Sequence, residues 1–365
     1  MEKIKRNKSE RVLYIRDLNI SFNTAYGTVR AIRGIKLDLF KGETIAIVGE
    51  SGSGKSVTVK TIMGILDSNG NIDSGQIIYR YTDDNGEEKE VDLVKMSQKD
   101  IRYQFCGKHI AMVFQDPMTS LDPTMTIGKQ IMEPMREHYR ITKAEAKERA
   151  LELIKEVGID NPDKRFKQYP HELSGGMRQR VVIAIALACD PDILICDEPT
   201  TALDVTIQAK ILELIKDLQV KKGISVIYIT HDLGVVAKVA DYVAVMYAGR
   251  IVEKGKINEV FYDPRHPYTW GLLSSMPDID TDSDRLFAIP GSPPNLMERV
   301  EGDAFAARNP YALNIDYREE PPMYDVGGQH RVASWLCDPR APKVELPEDL
   351  KIRIEKMKKE AGVDE

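Results

Sequence analysis

The sequence predicts an α/β protein built on a mainly parallel sheet, and three observations carry that prediction. Short apolar runs ("TIAIV", "HIAMV", "ILIC", "ISVIYIT") alternate with helical stretches. Strands that are apolar on both faces are those of a parallel sheet covered by helices. A glycine-rich loop, "GESGSGKS" at 49–56, lies between the strand "TIAIV" and a helix beginning "KSVTVK". A second apolar strand, "ILICDEPT", stops on two acids, and ligands of such sheets sit beyond the carboxyl ends of the strands.

The elements follow in order. Residues 11–48 read as strands, "VLYIRDLNISF", "IKLDLF" and "TIAIVG", with "KGE" as a turn. "KSVTVKTIMGIL" reads as a helix. Residues 68–104 are polar, with "DSNGN" and "DDNGEE" as turns between short strands such as "GQIIYRY". "HIAMVFQDP" is a buried strand ending in a polar loop. From 126 to 158 the pattern is helical, clearest in "KAEAKERALELIKEVG", with Gly158 as a stop. "GGMRQRVVIAIALACDP" is a glycine turn opening an apolar helix, and "TIQAKILELIKDLQVKKG" an amphipathic helix. "LGVVAKVAD" is helical and "YVAVMYAGRIVEKG" a hairpin-like pair. After about residue 260 the chain turns Pro-rich and irregular, a separate C-terminal appendix, ending in a charged surface helix, "LPEDLKIRIEKMKKEAG".

The loop at 49–56 is a phosphate cradle. Gly49, Gly52 and Gly54 let backbone N–H groups close around phosphate oxygens, and the following helix turns its positive end toward them. Lys55 neutralises the β- and γ-phosphates, and Ser56 offers a hydroxyl to Mg²⁺. The ATP-binding set is Gly49, Glu50, Ser51, Gly52, Ser53, Gly54, Lys55, Ser56 and Val57. Asp197 is placed to hold the Mg²⁺ shell, and Glu198 to polarise a water for attack on the γ-phosphate. "LSGGMRQR" at 173–180 reads as a second phosphate-gripping turn, more than a hundred residues downstream of the first.

Bulk properties narrow the class. With 365 residues, the chain suits one large domain with an appendix, or two domains. The net charge of −6, with no basic stripe, argues against nucleic acid as partner. No run of eighteen apolar residues occurs, so no membrane span is expected, and the basic N-terminus lacks the apolar core of a secretory signal. Cys106, Cys189, Cys196 and Cys337 are scattered, which suits a reducing cytosol.

In order, "GESGSGKS", "VFQDP", "LSGGMRQR", "ILICDEPT", "TALD" and "ITHD" resemble the motifs of ABC-transporter ATPase subunits, over roughly residues 11–260. The resemblance implies the P-loop ABC ATPase fold: a mainly parallel core sheet, an antiparallel β subdomain and a helical subdomain at about 118–180. It implies an ATPase domain over 1–260 and an extension over 261–365. Residue by residue, Gln115 is the loop glutamine that touches Mg²⁺ and the attacking water, and His231 the histidine that contacts the γ-phosphate. Asp204 lies in the loop that reaches across a dimer. Ser174, Gly175, Gly176 and Gln179 form the signature that grips the γ-phosphate held by the other subunit, which explains the second phosphate grip. Tyr26, 29 residues before Lys55, is where the family places an aromatic on the adenine, with Phe22 a rival.

The extension, from "INEVFYDPRHPYTWGLLSSMPDID" to "IPGSPPNL", resembles that of oligopeptide and dipeptide importers, closest to the D-type permease ATPases. Many such relatives hold an iron–sulfur cluster there on four cysteines. The matching positions here are Asp303, Asn309, Asp316 and Ser334, which supply no thiolate, so no cluster is expected. Phe305, Tyr311, Leu313 and Trp335 are expected to pack the extension instead, with the acids as solvated surface groups or, as the alternative, as holders of a cation. The implied protein hydrolyses ATP to power peptide import from the cytoplasmic face of the plasma membrane, peripherally bound. Its implied partners are a second, related ATPase subunit (a homodimer stays open), two transmembrane permease subunits contacted through the helical segment, and an extracellular peptide-binding protein. A nickel or other small-solute importer, a soluble ATPase acting on nucleic acid or ribosomes, and a non-hydrolysing regulatory subunit are the alternatives.

Overall fold

The computed structural model describes residues 6–83, 85–200, 203–276 and 288–362. Thr201 and Ala202 of the "TALD" motif, the first five residues of the N-terminal stretch and residues 277–287 of the extension lie outside the described residues.

Strands β1 (Arg11–Thr24) and β2 (Gly27–Phe40) form a long hairpin, followed by β3 (Thr44–Val48). Helix α1 (Lys55–Ile62) leads to β4 (Gly70–Thr82) and β5 (Glu88–Asp92). A short helix α2 (Gln98–Gln104) precedes β6 (Ile110–Val113). Helices α3 (Pro117–Ser120), α4 (Ile127–His138), α5 (Lys143–Glu156), α6 (Pro162–Arg165) and α7 (Gly175–Ala186) form the helical part. Then come β7 (Ile193–Asp197), α8 (Val205–Lys222), β8 (Ser225–Thr230), α9 (Leu233–Val239), β9 (Tyr242–Tyr247) and β10 (Arg250–Lys256). The C-terminal region holds α10 (Ile257–Tyr262), α11 (Pro267–Ser274), β11 (Tyr324–Gly327), β12 (His330–Val332) and α12 (Glu348–Glu360).

Two sheets result. The antiparallel one has the order β2-β1-β4-β5; the main one runs β11-β12-β10-β9-β3-β8-β7-β6. Within it β9, β3, β8, β7 and β6 are parallel. Period-two alternation places each strand between two cores. Ile45 and Ile47 of β3 face the antiparallel sheet and α1, whereas Ala46 and Val48 face α9 and the C-terminal helices. On β7, Leu194 and Cys196 face the helical part, and Ile193 and Ile195 the antiparallel sheet.

Several expectations need correction. The helical stretch 126–158 is two helices. The chain extends through residues 139–142 and restarts at Thr142, whose hydroxyl accepts from Glu145 N while the Glu145 carboxylate accepts from Thr142 N, a capping box. The polar stretch before β6 contains α2, capped by Ser97. The appendix does not stand apart from the core. Strand β12 pairs with β10 and β11 with β12, so the extension widens the main sheet. Helix α12 is not purely a surface helix: Leu350 and Ile354, one turn apart, are buried against the C-terminal core.

The iron–sulfur positions are also not as expected. Asp303, Asn309, Asp316 and Ser334 are all buried, Asp316 at 1% exposure, rather than solvated. Each caps a local turn: Asp303 accepts from Phe305 N, Asn309 from Tyr311 N, Asp316 from Leu313 N and Ser334 from Leu336 N. Burial raises the Asp303 and Asp316 carboxyls above their ordinary range, against the lowering effect of those bonds. Phe305 packs edge-on to Tyr247 and Tyr268, and Tyr311 against Trp270. Trp335 meets Tyr324, and its indole N–H donates to Glu319 O. Cys337, the one extension cysteine, has its thiol pushed up to about 11 by burial.

Candidate functional site

The site forms where β3, β7 and β8 end. From Val48 the chain turns directly into the loop. Gly49 has φ +153°, and a Cβ there would lie 2.1 Å from Met246 O; Gly54 has φ +103°, and its Cβ would meet Ile32, Met246 and Ala31 O within 2.9 Å. Only glycine fits this cradle, because any side chain would push the loop off β2 and β9. Ser51, Gly52 and Ser53 complete the bend, and α1 starts at Lys55 with Val57 in its first turn.

Lys55 is 6% exposed, and its ammonium donates to Gly49 O at 2.7 Å and Glu50 O at 3.0 Å. Burial lowers its pKa, and Glu198, Asp197 and Glu50 oppose that shift. A cation held there on two carbonyls is poised for an anionic ligand. Ser56 Oγ donates to Asp197 Oδ1 at 3.2 Å. Burial and the neighbouring Glu198 raise the Asp197 carboxyl, while Ser56 and Lys55 draw it back. Two oxygen donors this close fit a hard cation such as Mg²⁺.

Glu198 adopts a left-handed φ of +46°, which costs a side-chain-bearing residue roughly 1–2 kcal/mol. Its N–H donates to Ile229 O at 2.9 Å, tying β7 to β8 at the bend. The bend brings three distant residues together. Gln115 Nε2 donates to Glu198 Oε2 at 3.1 Å, and His231 Nδ1 meets Glu198 Oε1 at 3.1 Å. Gln115 follows β6 and His231 follows β8, so adjacent strand ends bring them to one carboxylate.

All of these groups line or adjoin one cleft of about 870 Å³. Other expected residues lie elsewhere. Tyr26 is at the tip of the β1–β2 hairpin, 91% exposed and outside the cleft lining. Phe22 packs beside Leu66 and Gly70 in the core between the antiparallel sheet and α1. Ser174 caps α7 by accepting from Met177 N, with Gly175 and Gly176 in the first turn; none of the three lines this cleft. Gln179, expected to face a partner, is 0% exposed, and neither amide atom has a hydrogen-bond partner among the described residues. It lies on the inner side of α7, one turn beyond the glycines. Asp204 caps α8 by accepting from Ile207 N at 3.0 Å.

Sequence reasoning missed the C-terminal contribution. Arg308 forms a two-pronged bond to the Glu50 carboxylate, at 2.7 and 3.0 Å, and Tyr268 OH accepts from Glu50 N at 2.8 Å. Leu272, Ser275, Ala288, Ile289 and Leu296 join the cleft lining. No local pattern marks them: they lie more than two hundred residues from the loop, partly on α11 and partly in the irregular chain beyond it.

Residues 32–201 match the family model for the ABC transporter, and residues 252–315 that for the oligopeptide/dipeptide transporter C-terminal region. The chain is 58% identical over 349 residues to the oligopeptide transport ATP-binding protein OppD of Bacillus subtilis, covering 95% of each. It is 55% identical to the dipeptide transport ATP-binding protein DppD of Lactococcus lactis, covering 92% of this chain and 93% of that one. Among solved structures it resembles the dimeric ATP-binding cassette MJ0796 in a post-hydrolysis state bound to ADP and phosphate. That match has a TM-score of 0.55 at 28% identity, and covers 67% of this chain and 98% of the other.

Proposed function

Because the chain belongs to the ABC transporter ATP-binding proteins, in the oligopeptide and dipeptide importer branch, we propose that it works as half of two composite ATP sites. As a member of that branch it binds and hydrolyses ATP to drive peptide import. The observation that carries the assignment of roles is the Glu198 carboxylate, held by Gln115 and His231 beside the phosphate cradle.

In this reading the loop N–H groups and Lys55 grip the β- and γ-phosphates. Ser56, Asp197 and Gln115 would hold Mg²⁺, which neutralises charge on those phosphates when bound. Glu198 takes a proton from the water whose oxygen attacks the γ-phosphorus, and the bond to the β–γ bridging oxygen breaks. Gln115 and His231 keep that carboxylate in place, and His231, largely exposed, is available to the γ-phosphate. Ser174, Gly175 and Gly176 serve the nucleotide of a second ATPase subunit, and Asp204 lies in the contact between the two. Their absence from this chain's own cleft lining supports that division, as does the dimer of the related cassette.

No helix among the described residues is long and apolar enough to cross a membrane, and ATP-binding subunits of peptide importers act with membrane permeases. The proposed assembly is two permease subunits, a related second ATPase subunit and an extracellular peptide-binding protein. This chain would sit peripherally on the cytoplasmic face. The extension is proposed to function without an iron–sulfur cluster, its matching positions being oxygen and amide donors.

Glu198→Gln tests the central assignment. Turnover is expected to fall by roughly 10²–10⁴-fold, while ATP still binds and holds the dimer closed. Unchanged phosphate release by this variant would remove Glu198 from the role of base.

A further inference from the structure

The residue after Gly49 is held from outside the loop. Glu50 N–H donates to Tyr268 OH on α11 at 2.8 Å, and the Glu50 carboxylate takes both prongs of Arg308. The Glu50 carbonyl serves the loop itself, accepting from Lys55 Nζ at 3.0 Å and from Ser53 N at 3.2 Å. Glu50 is thus the joint between the C-terminal extension and the lysine assigned to the phosphates.

Arg308 is built into that joint. Its side chain is 5% exposed. Nε donates to Pro290 O at 2.8 Å, Nη1 to Glu50 Oε2 at 2.7 Å and Tyr247 OH at 3.2 Å, and Nη2 to Glu50 Oε1 at 3.0 Å and Ile289 O at 3.2 Å. These bonds use every N–H of the guanidinium. Its central carbon lies 5.7 Å from the Tyr247 ring centroid and 5.9 Å from that of Phe305, within cation–π range. A planar fork held on so many sides fixes the carboxylate it clasps, in place as well as in angle.

Charge adds a second effect. The Glu50 carboxylate is near enough to Lys55 to oppose the lowering of its pKa. Left unpaired, that carboxylate would repel a triphosphate entering the cleft; the arginine cancels its charge. Glu50 and Lys55 line the cleft, whereas Arg308 and Tyr268 do not. An influence of Arg308 or Tyr268 on the phosphates therefore runs through Glu50.

We infer that Arg308 is a positioning residue for the phosphate loop. By fixing and neutralising Glu50, with Tyr268 holding the N–H of the same residue, it sets the turn that presents Lys55 and gives the C-terminal extension a direct hold on ATP affinity. The inference rests on the ATPase reading above and deepens it.

The test titrates Mg²⁺-ATP into the full-length chain by calorimetry and follows thermal melting without nucleotide. Arg308→Gln leaves the Glu50 charge unpaired and is expected to weaken ATP roughly tenfold to a hundredfold, the range for a lost hydrogen bond to a charged group. Arg308→Lys restores the charge without the fork and is expected to recover part of that loss. Tyr268→Phe keeps the buried ring, removes only the hydroxyl, and is expected to weaken ATP roughly threefold to tenfold. Combined with Arg308→Gln it should cost less than it does alone, because both act through Glu50. An arginine that only anchored the extension would lower the melting temperature of Arg308→Gln and leave its ATP affinity unchanged while the variant is still folded. That result, or fully additive losses in the double variant, would overturn the inference. Should Arg308→Gln not fold, Tyr268→Phe decides alone, and unchanged affinity there sinks the idea. Wild-type protein that did not bind Mg²⁺-ATP would instead overturn the nucleotide reading beneath it.

Discussion

Lys55 and Gly49 show how single residues carry this site, and each yields a measurable consequence. Lys55 spends its ammonium on two loop carbonyls while burial disfavours its charge. Phosphates restore that stabilisation, so Lys55→Ala is expected to weaken ATP binding roughly tenfold to a hundredfold, the range of a hydrogen bond to a charged group; titration calorimetry measures it. Gly49→Ala places a methyl 2.1 Å from Met246 O at a φ alanine avoids. It should lose about 1–3 kcal/mol of stability together with nucleotide binding, read by denaturant melts and ATP titration. The loop was legible because its chemistry is local: eight consecutive residues and a flanking strand suffice. Gln179 was not, because whether a helical residue faces a partner or the core depends on how α7 rolls against its neighbours, and the core claimed it.

Among the elements, the junction of β10, β12 and α11 governs how the extension is held. His266, fully buried, caps α11 by accepting from Tyr268 N on Nδ1. Glu253 on β10 accepts from the N–H groups of Arg265 and His266 and from His330 Nε2 on β12. Burial depresses His266 to about 4, against the pull of Glu253 and with Arg250 adding to the depression. The unfolded ring titrates near 6.5, so between about pH 6.5 and 4 the unfolded chain binds the extra proton. Stability therefore falls as pH falls through that window, by at most about 1.4 kcal/mol per pH unit from this group. His266→Asn keeps a capping acceptor and should flatten the slope, followed by thermal melts from pH 7 to 4. The elements themselves were largely legible. The core strands are short runs apolar on both faces, and α5 and α8 carry their own start and stop residues: the capping box at Thr142 and Gly223 with φ +65°. The extension's strands were hidden because three- and four-residue segments carry too little pattern; pairing of β12 with β10 and of β11 with β12 makes them strands.

Across the whole molecule, elements far apart in the chain meet at the site. Loop, antiparallel sheet and extension converge on one cleft, so Mg²⁺-ATP should stabilise the native state by about 2.7 kcal/mol at a hundred times its dissociation constant, seen as an upward shift of the melting temperature. The turn at Ser174, Gly175 and Gly176 is not part of that cleft's lining. On the proposed division of the two phosphate grips between subunits, ATP-dependent dimerisation of the Glu198→Gln form should depend on protein concentration in sedimentation runs.

The sequence by itself determined the fold class, the phosphate loop, the acidic strand end and the order of the motifs, because backbone cradles and strand termini are built from neighbours along the chain. Only the tertiary structure decided which carboxylate Gln115 and His231 attend, that Gln179 is inside, that Asp303 and Asp316 are buried turn caps, and that the extension lines the cleft. Those facts depend on which strands lie side by side and on what packs over them, and contacts between residues two hundred positions apart leave no periodic trace in the chain.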